Sequence, residues 1–162
     1  MPPESMYVIS LEEVCWGGFL MAVTMAIHGF GMLLVLRVNH SFKHQLESGN
    51  NMFTGLAPVI LASCMILLVH LIEVLVWSSF FVWKNAFANG SVSFYFSLNE
   101  YTTVGSHYSL PLRWRLLEGM ISTAGLLAFA WSTGVLIALA REFQDQQMDL
   151  FKKRHQKKDR ES

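Results

Sequence analysis

The stretch GLAPVILASCMILLVHLIEVLVWSSFFVW, residues 55–83, holds 29 residues, broken only by His70 and Glu73. As a helix it would reach about 43 Å at 1.5 Å per residue. A bilayer's hydrocarbon core is ~30 Å thick, so this run is long enough to span with tilt. Pro58 lies near its start, where a helix tolerates the missing N–H. Two further runs flank it. Residues 14–36 give 23 residues without a formal charge, with His28 as the one imidazole, and residues 116–140 give 25 with Glu118 near the start. Gly17, Gly18, Gly29 and Gly31 in the first run suit close helix packing in lipid. Charged residues are 15% of the chain, well below the roughly 25% of a soluble domain. The expected fold is all-α and transmembrane, with three spanning helices.

The segments between the runs set organisation and orientation. Residues 1–13 carry Glu4, Glu12 and Glu13 but no Lys or Arg. A cleaved signal peptide needs a basic start, so the first run reads as a retained span. Residues 37–54 are polar and read as a loop, and residues 141–162 as a charged tail. Six of the 12 Lys and Arg fall between Lys152 and Arg160 of that tail, among them Lys152, Lys153, Arg154, Lys157 and Lys158. These offer contact to anionic lipid headgroups. With three spans, nine Lys and Arg fall on the side of the first loop and tail, against three on the other (Lys84, Arg113 and Arg115). That asymmetry predicts a multi-pass cell-membrane protein with the N-terminus outside and the tail in the cytoplasm. Cys15 and Cys64 lie in apolar runs, which argues against a disulfide framework or zinc site. No nucleophile, metal cluster or phosphate-binding loop points to an enzyme.

Residues 91–101 are apolar and aromatic but too few to cross, which suggests a re-entrant element. They lead into Tyr101-Thr102-Thr103-Val104-Gly105 and then the third span. Non-helical backbone at membrane depth persists where it lines water or ions. Its carbonyls can replace an ion's hydration shell, and the C-terminal end of the short helix favours a nearby cation.

With its flanking helices, this segment resembles the potassium-channel pore family, whose filter reads TTVGYG. The resemblance covers residues 56–144. It extends to His70-Leu-Ile-Glu73 with Trp77, and to Trp131-Ser-Thr, which look like a group of bacterial three-span members. It implies a pore module over residues 55–140: outer helix 55–83, pore helix 91–102, filter 102–107 and inner helix 112–140. The filter would comprise Thr102, Thr103, Val104, Gly105, Ser106 and His107, supported by Asn99, Glu100 and Tyr108. Gly125, Phe129 and Gly134 would form the gating hinge. Four copies would surround one axis, passing K⁺ by preference and Na⁺ as the alternative, with no cofactor and no metal beyond the permeant cation. The departure is Ser106-His107 where the family has Tyr-Gly. A non-Gly residue at positive φ costs roughly 1–2 kcal/mol, so the outer filter is expected to be reshaped.

His70 and Glu73 share a helix face at i and i+3. They read as an intramembrane polar pair bonding to a neighbouring helix, since the outer helix of the resembled family does not line the pore. The sequence also admits two other functions. One is a non-selective or non-conducting pore-like regulatory subunit. The other is a haem or quinone protein using His28 and His70. Counted from the expected cytoplasmic ends of the runs, those two histidines differ in depth by ~10 Å, which disfavours a shared haem.

Overall fold

The computed structural model describes residues 7–46 and 52–161 of the chain. Helix is their one regular secondary structure, with no strand among them. The elements in order are α1 (Leu11–Leu46), α2 (Met52–Trp83), α3 (Gly90–Tyr101), a 3-10 turn (Leu112–Trp114) and α4 (Leu116–Glu161). Three helices are long and apolar enough to cross a membrane, over Leu11–Ser41, Leu56–Trp83 and Leu112–Met148. A short helix, α3, lies in sequence between the second and third.

The helices run past the apolar stretches that announced them. Residues 37–46, expected as loop, continue α1, and residues 141–161, expected as tail, continue α4. An apolar run marks what lipid can cover; a helix needs only residues that tolerate it. Neither extension contains Gly or Pro, the two residues that most strongly oppose helix. Because α2 begins at Met52, Pro58 lies inside it rather than at its first position. There it removes one i to i−4 hydrogen bond. Residues 10–13 carry the start of α1. Ser10 and Glu13 form a reciprocal cap at the start of α1: the Glu13 N–H donates to Ser10 Oγ (3.1 Å), and the Ser10 N–H to Glu13 Oε2 (3.0 Å).

The chain forms two compact units, the described parts of Met1–Phe30 with Val69–Ala130, and of Gly31–Leu68 with Trp131–Ser162. The first holds an aromatic core of Trp77, Phe80, Phe81, Phe96, Tyr101 and Trp114 among aliphatic residues of α1, α2 and α4. The N–H of Leu116 donates to Glu13 Oε1 at 3.1 Å, which ties the first turn of α4 to that of α1. Near the same end, the Lys84 ammonium lies 4.3 Å from the Trp16 ring centre and 4.4 Å from that of Trp83. Trp gathered around a cation suits a membrane–water boundary. The second unit buries Met32, Val35, Ala62, Ile66 and Leu139, with Asn39 and Ser132 as buried polar residues.

Candidate functional site

Two sites occupy the first unit, and Tyr101 belongs to both. One is a buried polar cluster. His28 on α1, with His70 and Glu73 on α2 and Tyr101 at the end of α3, are each at most 8% exposed. The Tyr101 hydroxyl donates to Glu73 Oε2. His28 Nδ1 lies 2.9 Å from Glu73 Oε1. His70 Nδ1 lies 2.9 Å from the Tyr101 hydroxyl and 3.6 Å from Glu73 Oε2. Because the tyrosine proton points to Glu73, His70 Nδ1 donates to the tyrosine oxygen. His28 Nδ1 likewise donates to the carboxylate, so both imidazoles carry a proton on Nδ1 in this arrangement. Phe129 closes one side, its ring 4.6 Å from that of His70 and 5.6 Å from that of Tyr101. One turn before His28 along α1, the Trp77 indole donates to Thr24 Oγ1 (2.9 Å), and Thr24 donates to the Leu20 carbonyl (2.8 Å).

The i, i+3 spacing brings His70 and Glu73 together as expected, but His28 and Tyr101 complete the group. The depth difference assigned to the two histidines does not hold. Residue His28 lies 18 positions before the end of α1 at Leu46, and His70 lies 18 after the start of α2 at Met52. Both helices continue past the apolar runs from whose ends those depths are counted. The same geometry argues against a haem between the two rings: their centres are 5.2 Å apart, tilted by 42°, with the Glu73 carboxylate bonded beside them.

The second site is the turn after α3. Asn89 caps the start of that helix, its side chain accepting from the Ser91 N–H at 2.8 Å. Beyond Tyr101 the chain folds back on the last turn. The Thr103 N–H donates to the Glu100 carbonyl (3.0 Å), and the Val104 N–H to the Asn99 carbonyl (3.0 Å). This is the Schellman pattern of helix ends. Thr103 occupies its left-handed position at φ 61°, and Gly105 follows at φ 81°. The Thr102 hydroxyl bonds the Leu98 and Asn99 carbonyls at 2.8 and 3.2 Å. Val104 is 75% exposed. Among the described residues, no hydrogen bond reaches the carbonyls of Thr103, Val104 or Gly105.

The expected supporting residues act here in distinct ways. Asn99 supplies the carbonyl that holds the turn, and its amide donates to the Tyr95 carbonyl at 2.7 Å. The Glu100 carboxylate accepts from the Ser106 N–H at 3.0 Å. Burial pushes the Glu100 carboxyl above its ordinary range, against the pull of that amide, and nearby Glu118 pushes it further up. The His107 and Tyr108 rings are 4.0 Å apart, and both contact Tyr95. Gly125, expected as a hinge, has a packing role: a Cβ there would overlap the Tyr101 carbonyl. Gly134, in the second unit, has open space around such a Cβ. The side chains of Lys153, Arg154, Lys157 and Lys158 lie outside the described ones; Lys152 is exposed.

No family model, no curated protein and no solved structure matches this chain.

Proposed function

We propose that copies of this chain, four by the resemblance, assemble around an axis and conduct cations passively, K⁺ by preference, through backbone carbonyls of residues 102–105. The observation that carries the reading is the division of backbone groups after α3. The amides of Thr103 and Val104 are bonded back to the helix, while the carbonyls from Thr103 to Gly105 accept no bond within the described residues. Unbonded carbonyls at the negative end of a helix are hard, cation-seeking ligands. Twelve residues make α3 about 18 Å long, too short to cross, which suits a re-entrant support. A single turn cannot surround an ion. The exposed Val104 is consistent with a surface that neighbouring copies cover. The charge asymmetry supports an N-terminus outside and a tail inside.

The test is potassium and sodium flux into liposomes containing the purified protein, with crosslinking to count the copies. Potassium uptake by a tetramer supports the reading. A folded, correctly inserted monomer or dimer that passes neither ion overturns it.

A second reading is a pore-like subunit that does not conduct, and the outer segment favours it. The Ser106 N–H is held by Glu100 and His107 is stacked on Tyr108, so the chain after Gly105 does not continue as a row of open carbonyls. His107→Gly separates the two readings. Gain of potassium selectivity over sodium marks a filter whose outer half His107 distorts. No flux in either protein favours the non-conducting subunit.

A further inference from the structure

Glu73 is fully buried, and the groups that meet it are His28, His70 and Tyr101. No lysine or arginine contacts it among the described residues. A carboxylate in this position needs a countercharge, either a proton or a bound cation. Its neighbours are the donors that a transition metal selects. Two imidazoles and one carboxylate make a borderline N/O set, found around zinc and around non-haem ferrous iron.

We propose that His28, His70 and Glu73 hold one divalent transition-metal ion of the zinc or ferrous class inside the helix bundle. One ligand atom from each side chain lies within 4.8 Å of the other two. Ligands 2.0–2.1 Å from a tetrahedral ion are about 3.3–3.5 Å from one another. The measured separations, 2.9 Å for His28 Nδ1 to Glu73 Oε1 and 3.6 Å for His70 Nδ1 to Glu73 Oε2, bracket that value. Small rotations about the side-chain bonds bring the atoms to a common centre. Binding through Nδ1 displaces the proton that each imidazole donates in the metal-free network, so uptake releases protons. Tyr101 then acts as a positioning residue: its hydroxyl keeps a bond to the carboxylate that holds the ion. The ion links α1 to α2, with the last residue of α3 bonded to one ligand. It is distinct from any permeant cation, which would meet carbonyls rather than imidazoles.

The experiment uses the full chain in detergent, stripped with a chelator and equilibrated with Zn²⁺, and separately with Co²⁺ as a spectroscopic probe. The wild type should retain one ion per chain through desalting, and Co²⁺ should show the visible bands of a low-coordinate N/O site. Glu73→Gln and His28→Gln should weaken binding by about 100-fold or more, beyond the 10–100-fold typical of supporting groups. Tyr101→Phe, which keeps all three ligands, should retain the ion with a smaller loss. His40→Asn, on an exposed face of α1, should leave the stoichiometry at one. Helical circular dichroism and a monodisperse elution profile identify variants that have folded. Should both ligand variants misfold, the wild-type stoichiometry and Co²⁺ spectrum still decide. Folded wild type that retains no ion, or a Co²⁺ spectrum unchanged in folded Glu73→Gln, overturns the proposal. None of these readouts depends on ion conduction.

Discussion

The helices α2 and α3 end with the same hydrogen-bond pattern and different residues. At the end of α2, the Asn85 N–H donates to the Val82 carbonyl (3.0 Å) and the Ala86 N–H to the Phe81 carbonyl (2.8 Å), with Asn85 at φ 54°. At the end of α3, the left-handed position falls on Thr103. Asn is among the side chains that enter this region readily; a β-branched Thr resists it. The cap on α2 is thus one that local chemistry chooses unaided. The cap on α3 is strained, by about 1–2 kcal/mol, and is held by what surrounds it. Backbone strain of this kind concentrates where function constrains the chain, and here it coincides with the segment that resembles a filter. The restraint comes through Tyr101. Its hydroxyl is bonded into the buried cluster and its carbonyl abuts Gly125, so the end of α3 is anchored on α2 and α4 at once.

Six substitutions probe that contrast. Glu73→Ala should have the largest effect, a loss of about 3–5 kcal/mol, because Tyr101 and His28 lose a buried, charged acceptor. Thermal unfolding in detergent measures it; a loss under 1 kcal/mol would mean the cluster does not anchor α3. Gly125→Ala should cost about 3 kcal/mol, since the new methyl meets backbone that cannot swing aside. Gly119→Ala, with nothing within 4 Å, is its control and should be neutral or slightly stabilising. Equal behaviour of the two glycines would remove the close approach of α3 to α4.

Thr103→Asn should gain about 1 kcal/mol by relieving the strained cap, while Asn85→Thr should lose a similar amount. The same Thr103 variant should conduct less if the proposed filter is correct, giving opposite changes in stability and flux. The smallest effect is expected from Glu100→Gln, which keeps an oxygen for the Ser106 amide and removes the charge. Burial raises the folded-state pKa of Glu100, so the protonated form is favoured by folding. Its ionisation destabilises the native state as pH rises through the carboxylate range. The variant should therefore be more stable than wild type near neutral pH, by less than about 1 kcal/mol after solvent screening, and equal to it well below the unfolded carboxylate's ~4.3. A wild type more stable than the variant at neutral pH would reverse the sign of the burial argument.

The three long apolar helices and the short helix before TTVG were legible in the sequence, because run length against bilayer thickness needs no tertiary information. The pairing of His70 with Glu73 was legible too, since helical periodicity alone puts i and i+3 on one face. What could not be read there was where helices stop. Polar residues 37–46 and 141–161 continue α1 and α4 because nothing in them breaks a helix, although lipid would not solvate them. That displaced end hid His28 from the cluster, which depends on the register of one helix against another. Tyr101 was likewise visible as part of the filter segment, but its hydroxyl's partner depends on how α3 enters the bundle. Gly125 looked like a hinge by position; only the approach of the Tyr101 carbonyl gives the absent Cβ a packing role. Composition and periodicity act along one chain and set its helices, whereas the buried cluster and the strained cap arise from contacts between residues tens of positions apart.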